Sequence, residues 1–100
     1  MKVISTKSLV ADARVWLRMT TTVHDDEIEQ TMDACILDLQ NGGVVNIDIS
    51  DPLIRQALKL YLKAQFGYDT KADRFEKAYE YLKYSLELSS DYNREAVDEG

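Results

Sequence analysis

The sequence predicts an all-α protein: a small bundle of four helices with a short extended connector between the second and third helices and a disordered acidic C-terminal tail. Apolar residues recur at helical spacing in four stretches, and glycine, Asp-Pro and threonine signals separate them. A chain of 100 residues has room for one domain. We expect that domain to span residues 1–90 and a flexible tail to span residues 91–100.

The first helix is predicted to begin at Ser5, as its N-cap, and to end at about Arg18. The β-branched run 20–22 is a poor helix interior and predicts a turn. One face of this helix is apolar: Leu9, Ala13, Trp16 and Leu17.

The second helix is predicted to begin at Asp25, where several acids favour the exposed amides of a helix start. Glycines at 42 and 43 suit a helix end because glycine adopts positive φ without strain. Apolar residues again recur at helical spacing: Ile28, Met32, Cys35, Ile36 and Leu39.

Residues 44–49 alternate between apolar and polar from Val45 onward, which is typical of a short half-buried strand. Two interpretations are open. The segment is an extended connector that packs Val45, Ile47 and Ile49 on the helices, or an edge strand that pairs with a neighbouring subunit. We favour the connector because the segment is too short to form a sheet alone.

A third helix is predicted from the Ser50-Asp51-Pro52 start signal to Gly67, and its apolar residues occupy nearly every angle. It is therefore expected to lie at the centre of the core. A fourth helix follows a tight turn, capped by Asp69 or Thr70, and runs to about Leu88. Its apolar seam has three-four spacing: Ala72, Phe75, Tyr79, Leu82 and Leu86.

Composition excludes several classes of function. Twelve basic against eighteen acidic residues give a net charge of −6, which disfavours binding to the phosphate backbone of nucleic acid. The N-terminus lacks the apolar run of a signal peptide, and no stretch is long enough to span a membrane, so a soluble, unexported product is expected. A single cysteine, Cys35, cannot form an intrachain disulfide and fits a reducing compartment.

Charge is segregated along the chain. No lysine or arginine lies between Arg18 and Arg55, whereas three basic residues follow at four-residue intervals on the third helix: Arg55, Lys59 and Lys63 (the basic stripe). The acids that precede it include a set on the second helix: Asp25, Asp26, Glu29 and Asp33 (the acidic cluster). The opposite charges either pair within one molecule, or lie on opposite sides and meet between neighbouring copies.

No catalytic, cofactor or metal site is predicted. His24 beside Asp25 suggests a metal ligand, but one histidine is a sparse ligand set and acids at a helix start serve the helix dipole. Cys35 falls on an apolar stripe and is expected to be buried. Phosphate-binding loops and nucleophile motifs are missing from the sequence, and nothing marks Asp12, Asp33 or Asp38 as a carboxylate pair.

Two tyrosines, Tyr81 and Tyr84, lie off the apolar seam of the fourth helix. Exposed tyrosines are good interface anchors because a large ring is immobilised at small entropy cost. Alternatively, they merely cover the helical hairpin. The basic stripe and these tyrosines are the expected contacts with other subunits or a partner.

Several segments together resemble the small head-tail connector proteins of long-tailed phages and prophages, often labelled DNA packaging proteins. The likeness covers about residues 1–88 and rests on the order of these segments: Met-Lys-Val-Ile-Ser at 1–5, Trp-Leu-Arg at 16–18, Asp-Asp-Glu at 25–27, Asp-Pro-Leu-Ile-Arg-Gln-Ala-Leu at 51–58 and Phe-Gly-Tyr at 66–68.

The resemblance implies a structural virion assembly protein without enzyme activity. Its copies would form a ring beneath the portal at the head-tail junction, after assembly in the host cytoplasm. Expected partners are other copies of the chain, the portal protein, and tail or head-completion proteins. DNA would pass through without specific binding because an acidic lumen repels phosphates, with the acidic cluster supplying part of that surface. The competing interpretation is a cytosolic adaptor module that binds one protein through the tyrosine-bearing hairpin.

Overall fold

The structure, a computed structural model, describes residues 4–66 and 71–94. After a short 3-10 turn at Lys7–Leu9, its helices follow in this order: α1 (Val10–Trp16), α2 (Asp25–Asn41), α3 (Pro52–Phe66) and α4 (Ala72–Leu88). No strand occurs within the two described ranges, and the predicted all-α class is confirmed. Helix α3 contacts each of the other three helices, as expected for the centre of the core.

The start of α1 differs from the prediction. The residue before the 3-10 turn is Thr6, and the Ser5 hydroxyl accepts only a long 3.4 Å bond from the amide of Lys7. Thr6 is fully buried, and its hydroxyl donates to Asp33 on α2 at 2.8 Å. The predicted N-cap at Ser5 is therefore wrong: a tertiary hydrogen bond of Thr6 fixes this end of the chain.

Helix α1 also ends two residues earlier than predicted, at Trp16. Arg18 adopts the left-handed conformation with φ of 57°, and the amide of Met19 donates to the carbonyl of Arg14 at 2.8 Å. This is the hydrogen-bond pattern of a Schellman helix end, with arginine at the position that glycine usually takes. The turn places Arg18 beside the end of α3.

Helix α2 ends at the predicted glycine pair. Gly43 has φ of 103°, the amide of Gly43 donates to Gln40 at 3.0 Å, and the amide of Val44 donates to Leu39 at 2.9 Å. These two bonds satisfy carbonyls that a helix end otherwise leaves without partners. The glycine pair therefore stops α2 and directs Val44 into the core, where it is fully buried.

The two glycines give a matched test of this helix end. We expect Gly43→Ala to destabilise the fold by about 1 kcal/mol, because positive φ is strained for alanine although no atom lies within 4 Å of the new Cβ. A Cβ at Gly42 would lie 3.0 Å from the flexible ends of Glu87 and Lys83, which can shift, so Gly42→Ala should have the smaller effect. Urea titration of both variants measures the difference; equal stabilities would contradict the assignment.

Residues 44–49 form the expected extended connector and not a strand. The backbone amides of Val45 and Asn46 both donate to the carbonyl of Tyr92, at 2.9 and 3.0 Å. Ile47 and Ile49 pack partly buried against the core, as predicted. Val45 was expected there too, but it is 39% exposed, and Val44 occupies the buried position.

Helix α3 begins as its sequence signal predicts. The Asp51 carboxylate accepts the amide of Leu53 at 2.8 Å, and Pro52 occupies the first helical position, where no amide donor is required. The predicted end at Gly67 and the predicted caps Asp69 and Thr70 lie outside the described residues. The fully buried side chains of α3 lie on its inner face: Ile54, Ala57, Leu58 and Leu62.

Helix α4 packs along α3 through the predicted seam, of which Tyr79 and Leu86 are the buried members. The ring of Tyr79 meets the ring of Tyr61 on α3 edge to face, with centroids 5.0 Å apart and planes at 70°. Such an arrangement is favourable for aromatic pairs. The α3–α4 hairpin is thus held by specific side-chain contacts as well as by apolar burial.

The segment after α4 differs from the predicted disordered tail over residues 91–94. The Tyr92 hydroxyl donates to Asp51 at 2.9 Å, and the side-chain amide of Asn46 donates to the carbonyl of Asp91 at 2.8 Å. Together with the bonds to Tyr92 described above, these contacts fasten the segment to the connector and to the start of α3. Tyr92 therefore belongs to the packed structure, and residues 95–100 lie outside the described residues.

Candidate interaction surfaces

A partly buried polar network joins α2 to α4. The Tyr79 hydroxyl donates to Asp38 at 2.7 Å, and the Lys83 ammonium lies 3.1 Å from the same carboxylate. The Cys35 thiol lies 3.7 Å from the Tyr79 oxygen, with the geometry of a weak donor. Nothing in the sequence marks Asp38 as part of this network, because Tyr79 and Lys83 lie more than forty residues from it along the chain.

Burial raises the pKa of the Cys35 thiol to about 12, although the hydrogen bond with Tyr79 acts in the opposite direction. Burial is also the main cause of a raised pKa at the Tyr79 hydroxyl, with the Cys35 charge and the bond to Asp38 adding to it. A thiol in this state is protonated at neutral pH and is a poor nucleophile. The network therefore supports the fold and does not resemble a reactive centre.

This raised pKa predicts a loss of stability in alkali. A group whose pKa is higher in the folded state contributes stability below its unfolded pKa, here 9.0, and loses it as the pH rises. We expect the free energy of unfolding to fall above about pH 9, with a slope from this group of up to about 1.4 kcal/mol per pH unit. The fall should be shallower in Cys35→Ala between pH 9.0 and 10.0, below the ordinary tyrosine pKa. Identical alkaline profiles would contradict this explanation.

The three residues of the basic stripe have different surroundings in the structure. The Arg55 guanidinium lies 3.3 Å from the Asp12 carboxylate of α1 and 5.8 Å from the ring centroid of Trp16. The charge of Arg55 is therefore balanced within the molecule, which is the first of the two interpretations of the charge pattern. Its partner, however, lies on α1 and not on the acidic α2. Arg55 serves first to attach α3 to α1.

Lys59 and Lys63 differ from Arg55. Among the described residues, neither ammonium forms an ion pair within 4.0 Å. The Lys63 ammonium lies 5.3 Å from the ring centroid of Phe75. Burial lowers the pKa of Lys63, and repulsion from Lys59 and Arg18 lowers it further. Arg18, Lys59 and Lys63 therefore form a positive region around the ends of α1 and α3, in which no carboxylate of the described residues lies within 4.0 Å of these cations.

An open cavity of about 640 Å³ lies beside this positive region, between the ends of α1 and α3 and the start of α4. Its lining combines apolar side chains with three cations: Trp16, Leu17, Arg18, Met19, Lys63, Lys71 and Phe75 (the basic cavity). Of the three cations in this lining, the sequence singled out only Lys63, as a member of the basic stripe. The other lining residues come from two further chain segments that local patterns could not bring together.

The acidic cluster is divided in the structure. Asp25 lies 3.1 Å from the Arg14 side chain, and Asp33 accepts the Thr6 hydroxyl, so both carboxylates hold α2 against the N-terminal segment. Asp26 is exposed and Glu29 is half-buried, both in the first half of α2. These last two are the members of the cluster that present charge without a described intramolecular partner.

The outward face of α4 carries large exposed side chains. Tyr81 is 77% exposed, Tyr84 is 61% exposed, and Leu88 is 66% exposed. With two smaller exposed residues they form a continuous surface at three-four spacing: Ala78, Tyr81, Tyr84, Ser85 and Leu88 (the tyrosine face). Neither tyrosine covers the hairpin core. The off-seam spacing predicts the two tyrosines, whereas Leu88 was not predicted to belong to this face, although it lies seven residues, or two helical turns, from Tyr81.

His24, which the sequence suggested as a metal ligand, makes a local contact. His24 lies 3.5 Å from Glu27, one turn along α2, and no group of three or more His, Cys, Asp or Glu residues in the described ranges is suited to hold a metal ion. Among the described helices, none combines the length and apolarity that crossing a bilayer requires.

These features define a small all-α protein whose prominent surfaces are suited to protein contacts. The sequence model of one family, described as phage connector protein, matches residues 10–93, and the chain belongs to that family. It is therefore a connector-type structural protein of a phage particle, from a family of structural proteins and not of enzymes. The match extends past α4 to include Tyr92. No curated protein and no solved structure matches the chain.

Proposed function

We propose that this chain is a head-tail connector subunit that forms a ring beneath the portal and lines part of the channel through which DNA passes. Membership of the phage connector family supports the class of this function. The observation that supports the assembly mode is the tyrosine face, where two tyrosines and a leucine stay exposed although the core is complete without them. Exposed apolar surface of this kind is typical of protein-protein contact sites.

The contacts within the ring are formed by the tyrosine face and by Lys59 and Lys63. Buried tyrosines contribute strongly to interfaces, and uncompensated lysines favour an acidic partner surface. That surface belongs either to the portal protein or to the next subunit. Arg55, although part of the predicted interface, is engaged by Asp12 and contributes mainly to the stability of the subunit.

Asp26 and Glu29 form the part of the acidic cluster that faces the lumen in this proposal. Their charge would repel DNA phosphates, so that DNA slides past without binding. Asp25 and Asp33 already have partners within the subunit and help to hold α2 in place. Tail or head-completion proteins would bind the far rim of the ring.

The test of this function is assembly with the portal. We expect the full chain, when co-purified with the portal of the same phage, to form one discrete high-order ring seen by native mass spectrometry. Lys59→Glu should weaken assembly at least tenfold by placing like charges together, with helical circular dichroism unchanged. The matched control is Lys7→Glu. Lys7 is an exposed lysine in the turn before α1, away from the positive region at the end of α1, so this variant should assemble normally.

Three outcomes would contradict the proposal. The first is a chain that stays monomeric at high concentration and leaves the portal unbound. The second is a single copy bound to one other protein, which would favour the adaptor module. The third is equal loss of assembly in Lys59→Glu and Lys7→Glu, which would mean that net charge and not this surface controls binding.

A further inference from the structure

The outward sides of α2 and α4 carry matching rows of exposed residues. Both helices have 17 residues. On α4, exposed residues follow one another at alternating steps of three and four: Arg74, Lys77, Tyr81, Tyr84 and Leu88 (the α4 row). The positions of α2 at the same distances from its start are exposed as well: Glu27, Gln30, Ala34, Leu37 and Asn41 (the α2 row). This spacing is the one at which two helices pack side by side.

The charged halves of the two rows are complementary when the helices are aligned in parallel. Glu27 then lies opposite Arg74, and Gln30 lies opposite Lys77. Helix α2 contains no lysine or arginine that would repel these two cations. Among the described residues, the ion contact of Glu27 is with His24, at 3.5 Å on the exposed surface of the same helix. A neighbouring cation can therefore approach Glu27 without breaking a contact between helices.

The apolar halves of the rows match in the same alignment. Ala34 lies opposite Tyr81, which places a small side chain beside a large ring, and Leu37 lies opposite Tyr84. Leu37 is 50% exposed, so it has apolar surface to offer to a partner. An antiparallel alignment would instead place Glu27 against Leu88, a charge against an apolar side chain. The chemistry of the rows therefore favours the parallel alignment.

The fold already contains a parallel pair of this kind. Within one molecule the Cys35 thiol lies 3.7 Å from the Tyr79 oxygen, and Asp38, further along α2, lies 3.1 Å from the Lys83 ammonium, further along α4. These four residues belong to neither row. The outward rows are therefore available for a second parallel contact while the internal one stays intact.

We propose that the α4 row of one copy packs in parallel on the α2 row of a second copy. Each copy carries both rows, so the contact is head to tail, and such contacts close into a ring when the rotation permits. The inference rests on the proposed function and deepens it. It assigns the tyrosine face to the next subunit and leaves Lys59 and Lys63 for the portal.

Disulfide formation tests the alignment, because it requires Cα atoms within about 7 Å of each other. The full-length variants Gln30→Cys and Lys77→Cys are mixed and oxidised, with and without the portal. The native Cys35 is buried and protonated, so it does not react. A covalent dimer is expected as the main product of the mixture and not of either variant alone. The matched control Gln56→Cys, which alters an exposed glutamine of α3, should not form a dimer with Lys77→Cys.

Exchange of charges tests the pairing of Glu27 with Arg74. Glu27→Arg and Arg74→Glu should each weaken assembly about tenfold by placing like charges together, and a chain that carries both changes should regain assembly. The control combines Glu27→Arg with Lys7→Glu, which has the same net charge and should stay impaired. Circular dichroism of each variant confirms that the helices are intact.

Three results would overturn the inference: no dimer in the mixture under either condition, a dimer of Lys77→Cys alone in equal yield, or no recovery in the doubly exchanged chain. Failure here is distinguishable from failure of the proposed function. A ring on the portal without the disulfide would refute only this contact. The disulfide in a chain that forms open filaments and leaves the portal unbound would refute only the ring.

Discussion

Replacing both Tyr81 and Tyr84 by serine is expected to abolish ring assembly with the portal while leaving the thermal unfolding temperature unchanged. Both side chains are more than half exposed and contribute little to the core of the free subunit. At an interface each ring would be buried, and loss of an anchoring tyrosine typically costs about 2 kcal/mol or more. Two such losses weaken a contact by roughly a thousandfold, which native mass spectrometry detects as loss of the ring.

Two exposed valines provide the control for this double variant. Val15 is 74% exposed and Val23 is 80% exposed, and neither belongs to the tyrosine face. The double variant Val15→Ser with Val23→Ser removes exposed apolar surface elsewhere and should assemble normally. If the tyrosine variant assembles as well as the native chain, the tyrosine face is not the contact surface.

Truncating Leu58 to alanine is expected to destabilise the fold by about 2–5 kcal/mol. Leu58 is fully buried on α3, the helix that contacts the other three. Removing its branched end leaves a cavity that surrounding helices fill only in part. Since small domains have a total stability of about 5–15 kcal/mol, this loss is a large share of it. Urea titration followed by circular dichroism measures the change.

Leu53→Ala is the matched control, on the same helix and with the same change of side chain. Leu53 is 45% exposed, so its truncation removes less buried surface and should cost less than about 1 kcal/mol. Equal effects at the two positions would contradict the placement of the core. A large effect at Leu53 would indicate that this end of α3 is covered in the free chain.

The elements that could be predicted from sequence depend on local chemistry. Asp51 and Pro52 marked the start of α3 because a carboxylate cap and a missing amide act within one turn. Gly43 marked the end of α2 for an equally local reason, its positive φ. Apolar periodicity identified all four helices because each must bury one face.

The features that were missed depend on pairs of residues far apart in the chain. Thr6 bonds to Asp33 and Tyr92 bonds to Asp51, at separations of 27 and 41 residues. A hydroxyl in a polar segment gives no sign of such a partner, so the sequence predicted a cap at Ser5 and a free tail from residue 91. The left-handed Arg18 was also unpredictable, since arginine rarely takes that conformation.

The interaction surfaces were predicted in part. Off-seam spacing correctly marked Tyr81 and Tyr84 as exposed, and charge segregation identified the basic stripe. Sequence could not show that Asp12 engages Arg55, because that pair depends on how α1 crosses α3. Nor could it assemble the basic cavity, whose walls come from three separate segments.

The most direct test of the central claim is electron cryomicroscopy of the portal with the full chain bound. The proposed function predicts a closed ring of one stoichiometry, with Tyr81 and Tyr84 buried between neighbouring copies or against the portal. It also places Asp26 and Glu29 toward the channel. A portal without bound chain, or a ring whose tyrosine face is turned to solvent, would contradict it.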